Sequence, residues 1–516
     1  MKIRQNIVVS KRLMVINSAS SVISKLLNAT VLLWSYQYLL RRIPPEEFSI
    51  LPVVMAVMVF APLFFSFFTG GISRHVVEAY ARDDFEGVTR VVSSIVPLLA
   101  AGTLIFLAVG LPFSFNIEDV LNVAPQMVDE AHLMVAMLVI SFSGQMLASP
   151  WVTGFHVRQR FVELNLLGVG RDLARMCLML VLLLAFGPQV ILVVTATVIA
   201  EGLHSVVIFV RGRQMVREIR FRPAFYDGRQ ARALVSFGMW TTVGRLGSVM
   251  YINAATIVLN ILGSPVDVTA YHIGSTIFRQ VETLIGLAAL PLQPVMTAMH
   301  AREERARLAS VVLRGGRYAL WVAMAVATPL IVYADAFIML YVGPQFWQAA
   351  VVIILFMVTF TFTKPTQLLS MMAMAIGRVR EFFLPAFLFQ LLGLGLMLLF
   401  VSFTEADAIA VTLSLTVTVV ASQLLFFWGL CLRLTNVPSS EFILRVLLPG
   451  HLPAVASAAI WVILKLAVRP ESWGALLACV SAGGLAYLFA LFRFGLSAAE
   501  KHDVGLAMGK IRRRLG

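Results

Sequence analysis

The chain has 516 residues, 59% of them hydrophobic and 13% charged, with a mean hydropathy of +0.87 and a formal net charge of +14. A soluble protein of this length could not cover that much apolar surface with polar side chains, so a soluble enzyme or binding module is excluded. The positive charge does not indicate nucleic acid. The cations alternate from loop to loop, as membrane topology requires.

Apolar stretches recur from end to end, and about 20 residues suffice to cross the hydrocarbon. The pattern predicts an all-α polytopic membrane protein of about fourteen transmembrane helices. The expected centres fall near Asn28, Phe60, Leu99, Leu138, Leu180, Thr197, Val249, Leu284, Ala325, Val358, Gly393, Leu415, Ala458 and Leu485. Lys2, Arg4, Lys11 and Arg12 precede the first apolar run, which is too long for a signal-peptide core and lacks a small-x-small cleavage site. It reads as a retained first span. Cys177, Cys431 and Cys479 lie in apolar sequence without metal-ligand spacing and are expected to be buried, inert thiols. No metal site is expected.

Basic loops alternate with acidic or neutral ones. Arginines cluster at 74–90, 158–160, 211–232, 302–317, 378–380 and 433–445, and the tail carries Lys501, Lys510 and Arg512 to Arg514. The opposite loops hold Glu118, Asp119, Asp129 and Glu130, and then Glu405 and Asp407. Arg41, Arg42 and Arg469 are the main exceptions, each close to Glu46, Glu47 or Glu471. The positive-inside rule then places both termini in the cytoplasm. The Arg211–Arg232 loop reads as a topology determinant and linker, with an interfacial helix on anionic headgroups as a second reading.

A shift of 220 positions superimposes Leu26 on Leu246, Pro45 on Pro265, Ala81-Arg82 on Ala301-Arg302, and Asp83-Asp84 on Glu303-Glu304. Charged and proline matches of this kind indicate a duplicated half. The expected division is two pseudo-symmetric six-helix lobes, 1–212 and 234–434, joined by a basic linker at 213–233. Two further helices at 435–495 and a basic tail at 496–516 complete the chain.

Six cations remain in or near the spans: Lys25, Arg171, Arg175, Arg245, Arg279 and Lys364. Lys25 and Arg245 are the deepest and sit 220 positions apart, each in the first span of its half. A cation at a helix centre costs roughly 2.5–3.5 kcal/mol on insertion scales and normally faces a bundle interior or wet cavity. Acids at that depth are few, so the cations together suggest a positively charged chamber for an anionic, phosphate-bearing substrate. Asp172, Glu201, His204 and Glu282 are the titratable candidates for ion coupling. Arg279 and Glu282 lie three apart on one helix face and can pair. Arg171, Asp172 and Arg175 lie about two turns from a cytoplasmic end, where snorkelling and a cavity role are both open. Glu201 and His204 read either as end residues or as a proton site. Lys364-Pro365 predicts a bend beside a lysine, a hinge facing the lumen.

The motif order resembles one family. The first span ends in Arg42-Ile43-Pro44-Pro45-Glu46-Glu47-Phe48 and the second in Gly70-Gly71-Ile72-Ser73-Arg74. Phe237-Gly238 opens the seventh, Leu290-Pro291-Leu292-Gln293-Pro294-Val295-Met296 closes the eighth, and Tyr341-Val342-Gly343 follows the ninth. This succession is similar to the polysaccharide-transporter branch of the MOP exporter superfamily, the Wzx-type lipid-linked oligosaccharide flippases. The resemblance implies two lobes around a central cavity in a bacterial cytoplasmic (inner) membrane. It implies alternating access that carries an undecaprenyl-diphosphate-linked glycan to the outer leaflet for cell-surface polysaccharide assembly. Lys25, Arg245, Arg279 and Lys364 would supply the cationic cavity, and the two extra helices would hold the polyprenyl tail. The implied partners are that glycan lipid, membrane lipids, and assembly machinery such as a polymerase and a chain-length regulator; nucleic acid is not one. No cofactor is expected, with H+ or Na+ as candidate coupling ion. The chain departs from the family at Tyr251-Ile252-Asn253, where members often carry an acid.

The alternatives differ in charge and loops. A peptidoglycan-precursor (lipid II) flippase shares the span number and the cationic chamber. A multidrug or cation antiporter should have an acidic cavity. A membrane glycan polymerase needs catalytic groups on sizeable outer loops, which this chain lacks. No GxxxxGK[ST] loop is present for ATP use.

Overall fold

A computed structural model describes residues 27–501, apart from 236–252, isolated positions at 28, 29, 32, 59, 70, 71, 159, 233, 404–406 and 497–499, and several between 288 and 301. The described residues are almost wholly helical and contain no strand. Hydrocarbon offers the backbone no hydrogen-bond partner, and a helix satisfies its own N–H and C=O groups. Nine described helices are long and apolar enough to cross a membrane. They hold nine of the expected centres, from Leu99 to Leu485. Leu180 and Leu284 fall in the helices Phe161–Phe186 and Pro265–Leu287, and Phe60 opens the helix Phe60–Thr69. Asn28 and Val249 lie outside the described residues. Large apolar side chains point outward along the spans, with Phe403 82%, Leu425 78% and Leu184 75% exposed. Such a surface is stable against lipid tails. Cys177 also faces outward, contrary to the expectation for it, while Cys431 and Cys479 are buried.

The chain divides into two compact units, Met1–Thr269 and Ala270–Gly516. In the first, the helix Val128–Val157 packs against Phe85–Ser114 and Val190–Met215. The contact with Val190–Met215 is close enough that a Cβ on Gly212 would lie 2.2 Å from the Trp151 carbonyl oxygen. In the second, the helix Arg305–Val332 packs against Leu448–Val468, against Trp347–Val358 and against a 3-10 turn at Lys364–Thr366. Here Gly316 lets the backbones meet, since a Cβ would lie 2.1 Å from the Pro365 carbonyl oxygen.

Prolines within these helices leave carbonyls without their usual donor four residues later. The fold supplies replacements. Pro150 removes the donor for the Met146 carbonyl, and the Ser149 hydroxyl donates to it at 2.7 Å. Pro453 removes the donor for the Pro449 carbonyl, and Trp321 Nε1 donates there at 2.8 Å. Tyr487 and Tyr333 hydroxyls add bonds to the Trp321 and Trp461 carbonyls, both at 2.8 Å, where no proline intervenes.

The duplication is visible in backbone detail. Asp83 and Glu303 both adopt a left-handed conformation with φ 58°. The Asp84 N–H bonds the Ala79 carbonyl at 3.0 Å, and the Glu304 N–H bonds the Met299 carbonyl at 3.0 Å. Val88 and Leu308 then donate to the carbonyls of Asp84 and Glu304 in turn. The same turn therefore opens a long helix in each half, at the spacing seen in the sequence.

The basic segment after Val190–Met215 is not a continuous interfacial helix. It leaves the helix at Val216 and makes a 3-10 turn at Pro223–Phe225. Its backbone is pinned to the Phe85–Ser114 helix. The Arg222 and Asp227 N–H groups bond the Ser93 and Ser94 hydroxyls at 2.9 and 3.0 Å, and the Thr89 hydroxyl donates to the Glu218 carbonyl at 3.1 Å. Three backbone groups thus hold the segment by side chains rather than by a helical ladder.

Gly316→Leu is expected to lower the stability of the second unit by about 1–3 kcal/mol, as overpacking does. Gly395→Ala, where a Cβ meets nothing within 4 Å, should be close to neutral. Thermal melting of the purified protein in detergent distinguishes the two.

Candidate functional site

Lys25 and Arg245 lie outside the described residues. The other expected site residues fall into two groups, one in each unit.

In the second unit, Lys364 sits in the 3-10 turn at which the chain breaks between the helices Phe360–Thr363 and Leu369–Ala375. The bend predicted at Lys364-Pro365 is therefore a real interruption. The lysine does not face a lumen, however. Its side chain is 1% exposed, and its Nζ contacts Glu282 Oε2 at 2.5 Å and Gln367 Oε1 at 3.2 Å. The ammonium also lies 4.6 Å from the centre of the Phe360 ring. The exposed member of the pair is the carboxylate, since Glu282 is 42% exposed. Thr366 and Trp428 complete the shell. The Thr366 hydroxyl donates to Gln423 Oε1 at 2.8 Å, and Trp428 Nε1 donates to the Phe362 carbonyl at 2.9 Å.

The expected pairing of Arg279 with Glu282 gives way to this arrangement. Glu282 is taken by Lys364, and Arg279 turns back along its own helix. Its Nη2 donates to the Ser275 hydroxyl at 3.0 Å and its Nε to the Ser275 carbonyl at 3.3 Å. Both acceptors are neutral. Arg279 thus keeps its full charge, with no carboxylate partner among the described residues.

In the first unit, Arg171 joins two helices. Its Nη2 lies 2.9 Å from Asp172 Oδ1 and its Nη1 lies 3.2 Å from Glu201 Oε1. Arg175 reaches the same Asp172 oxygen at 4.0 Å. Asp172 is buried, with its side chain 7% exposed. The helix containing the arginines begins at Phe161, so Arg171 lies about 15 Å along it, near the middle rather than at an end. Glu201 is similarly deep in Val190–Met215. His204 lies one turn beyond Glu201, and its Nε2 is buried without a hydrogen-bond partner among the described residues.

The two groups differ in what they offer a ligand. Lys364 and Arg171 are neutralised by acids, so the cations present a smaller excess than the sequence suggests. The pairing of Lys364 with Glu282 across 82 positions has no local signal, and nor does that of Arg171 with Glu201. Gln367, Ser275 and Phe360 were not foreseen as partners. All three have a readable spacing: Ser275 lies one turn before Arg279, and Phe360 and Gln367 lie one turn either side of Lys364.

Residues 14–300 match the family described as polysaccharide biosynthesis protein, and the chain belongs to that family. The fold and this family together define the class: a multi-pass helical membrane protein of the polysaccharide biosynthesis family. Among curated proteins, it is 20% identical over 342 residues to the "Uncharacterized membrane protein EpsK" of Bacillus subtilis (strain 168). That match covers 64% of this chain and 66% of the relative, just under two thirds of its length. The fold is similar to that of a solved structure of the lipid II flippase MurJ in an inward closed conformation. The TM-score is 0.71 at 13% identity, over 92% of this chain and 97% of the other. It is also similar to an inward-facing multidrug resistance MATE family transporter of the MOP superfamily. There the TM-score is 0.64 at 14% identity, over 81% and 98%.

Glu282→Ala strands the buried Lys364 ammonium and should cost about 3 kcal/mol, as removal of one partner of a buried pair does. The double variant Glu282→Gln/Lys364→Met should recover most of that loss. Denaturation midpoints of the three proteins check this. A single variant as stable as the parent would show that the pair holds nothing.

Proposed function

We propose that this protein is a transporter of the MOP superfamily, a flippase for a diphosphate-linked oligosaccharide on an undecaprenyl carrier. It moves the lipid from the cytoplasmic to the outer leaflet of the bacterial cytoplasmic membrane by alternating access. In this reading residues 1–212 and 234–434 are the two six-helix lobes, and 435–495 add two helices for the polyprenyl tail. Both termini are cytoplasmic.

The observation that carries the reading is Arg279. It keeps an uncompensated guanidinium in the helix Pro265–Leu287, expected from the sequence to be a span, and such a charge is retained where an anion comes to meet it. Lys25 and Arg245 occupy matching places in the two halves of the sequence and extend the same logic. A guanidinium recognises phosphate oxygens in a bidentate manner, and an ammonium recognises them as a point charge. Family membership points to polysaccharide assembly. The physics of export agrees: an anion leaving an interior-negative cell gains about 2.3 kcal/mol per charge for each 100 mV. Glu282 is the coupling carboxylate in this reading, because it is the exposed acid of the buried pair. H+ or Na+ would be its counter-ion in transport.

A lipid II flippase is the second reading, favoured by the likeness in fold to MurJ. Complementation separates the two. Rescue of a strain lacking its peptidoglycan-precursor flippase would establish the second reading and overturn the first.

Deletion should leave a lipid-linked glycan accumulating on the cytoplasmic leaflet, identified by mass spectrometry of extracted lipids. Arg279→Ala, Lys25→Ala and Arg245→Ala should each reduce transport tenfold or more while the protein still inserts, since a charged hydrogen bond of about 1.5–3 kcal/mol is lost in each. Normal glycan export by all three variants would remove the cationic site from the mechanism.

A further inference from the structure

The two halves treat the same corner of the fold differently. In the first unit, the corner beside the start of the Phe85–Ser114 helix is filled by the chain itself. The segment after Val216 lies along that helix, held at Thr89, Ser93 and Ser94. Three arginines beside it have internal partners. Arg211 and Arg160 both bond Glu163, at 2.5 and 3.1 Å, and Arg158 Nε donates to the Met215 carbonyl at 3.2 Å. The recess that remains has a volume of about 370 Å³.

In the second unit the equivalent corner holds a larger recess. The positions matching Thr89, Ser93 and Ser94 are Ala309, Leu313 and Arg314, so the hydroxyls that pin the segment are gone. The chain after the helix Trp428–Thr435 turns at Asn436 in a left-handed conformation, with φ 54°, and enters the short helix Ser439–Phe442. It packs Phe442 and Val446 into the same hydrophobic cluster as Leu308 and Leu313 and forms one side of a recess. The recess has a volume of about 880 Å³ and is lined by Arg305, Arg378, Arg433, Arg445 and His300, with Glu441 as the acid. Glu441 is spent on Arg445, at 2.9 Å, and Arg378 leans on Glu381 at 3.6 Å. Arg305 and Arg433 are exposed and make no ion pair among the described residues.

The floor of the recess is different in character. Leu308, Leu313, Met372 and Ile376 line it and belong to, or pack on, the hydrophobic core of this unit. The first residues of the Arg305–Val332 helix form one wall, and its N-cap residue Glu304 makes no side-chain cap. Amide donors at a helix start favour anions. An arginine rim over an apolar floor, at the end of a bundle of membrane spans, has the polarity of a lipid headgroup region.

We propose that this recess binds the phosphate headgroup of an anionic bilayer lipid, with the upper part of its acyl chains on the Leu308–Met372 floor. Arg305 and Arg433 hold the phosphate as guanidinium pairs, and Arg378 and Arg445 close the rim. The site is separate from the transport residues, and its existence does not depend on which glycan lipid is carried.

The test uses the full chain in nanodiscs of mixed phosphatidylcholine and phosphatidylglycerol, released into detergent, with retained lipid counted by native mass spectrometry. The wild type should retain phosphatidylglycerol in preference to phosphatidylcholine. Arg305→Gln/Arg433→Gln should lower that retention by roughly tenfold, which corresponds to the loss of about 1.4 kcal/mol. Arg305→Lys/Arg433→Lys should keep most of it, and Arg302→Gln, outside the recess, should change nothing. Both arginines are exposed and unpaired, so the glutamine variant should melt at the wild-type temperature and a loss of lipid cannot be a loss of fold. Equal retention of phosphatidylglycerol by the glutamine variant and the wild type would overturn the proposal. So would equal retention of the two lipids by the wild type. Displacement of the lipid by free inorganic phosphate at millimolar concentration would also overturn it, because the apolar floor would then contribute nothing.

Discussion

A full charge inside hydrocarbon persists only with a counter-charge, a shell of hydrogen bonds or water around it. The interior of this protein is organised by that constraint. Lys364 meets it with Glu282, Gln367 and the face of Phe360. Arg171 meets it with Asp172 and Glu201. Arg279 is met only by the neutral oxygens of Ser275. The cations are told apart by their partners and not by their place along a helix.

The same solvent acts on the backbone. A proline in a span removes a donor that lipid cannot replace, and each such gap needs a donor from elsewhere. Ser149 and Trp321 provide two of them, at the Met146 and Pro449 carbonyls. The break at Lys364–Thr366 is tolerated because the Arg305–Val332 helix comes into backbone contact with it over Gly316. The glycine is therefore needed for proximity, and the proline for the interruption. Together they place the buried lysine where a carboxylate 82 positions away can reach it.

Duplication supplies the frame on which these specific features sit. The turns at Asp83 and Glu303 match bond for bond, so the local fold of the repeat survives with few identical side chains. What has diverged is chemistry. Hydroxyls at Thr89, Ser93 and Ser94 fasten a linker in one half, while Ala309, Leu313 and Arg314 take those positions in the other, where the recess is larger. The ion-paired groups are equally private to their own halves, and neither has a counterpart 220 positions away.

Much of the architecture was legible in the amino-acid order. Apolar runs of membrane length located most of the spans, because the thickness of hydrocarbon sets one period for all of them. The equivalence of Asp83-Asp84 and Glu303-Glu304 was legible as a charged match, while the left-handed turn that both adopt came only with the structure. The break at Pro365 was legible because proline acts on its own helix. The partners were not. Lys364 read as a lumen-facing cation, and Arg279 as the mate of Glu282, since helical spacing shows only neighbours three or four residues away. Which carboxylate reaches which cation, which arginine stays unpaired and which corner holds the larger recess depend on helices distant in sequence. Those choices were made only when the chain packed, because the cost of a buried charge is set by whatever the tertiary fold brings beside it.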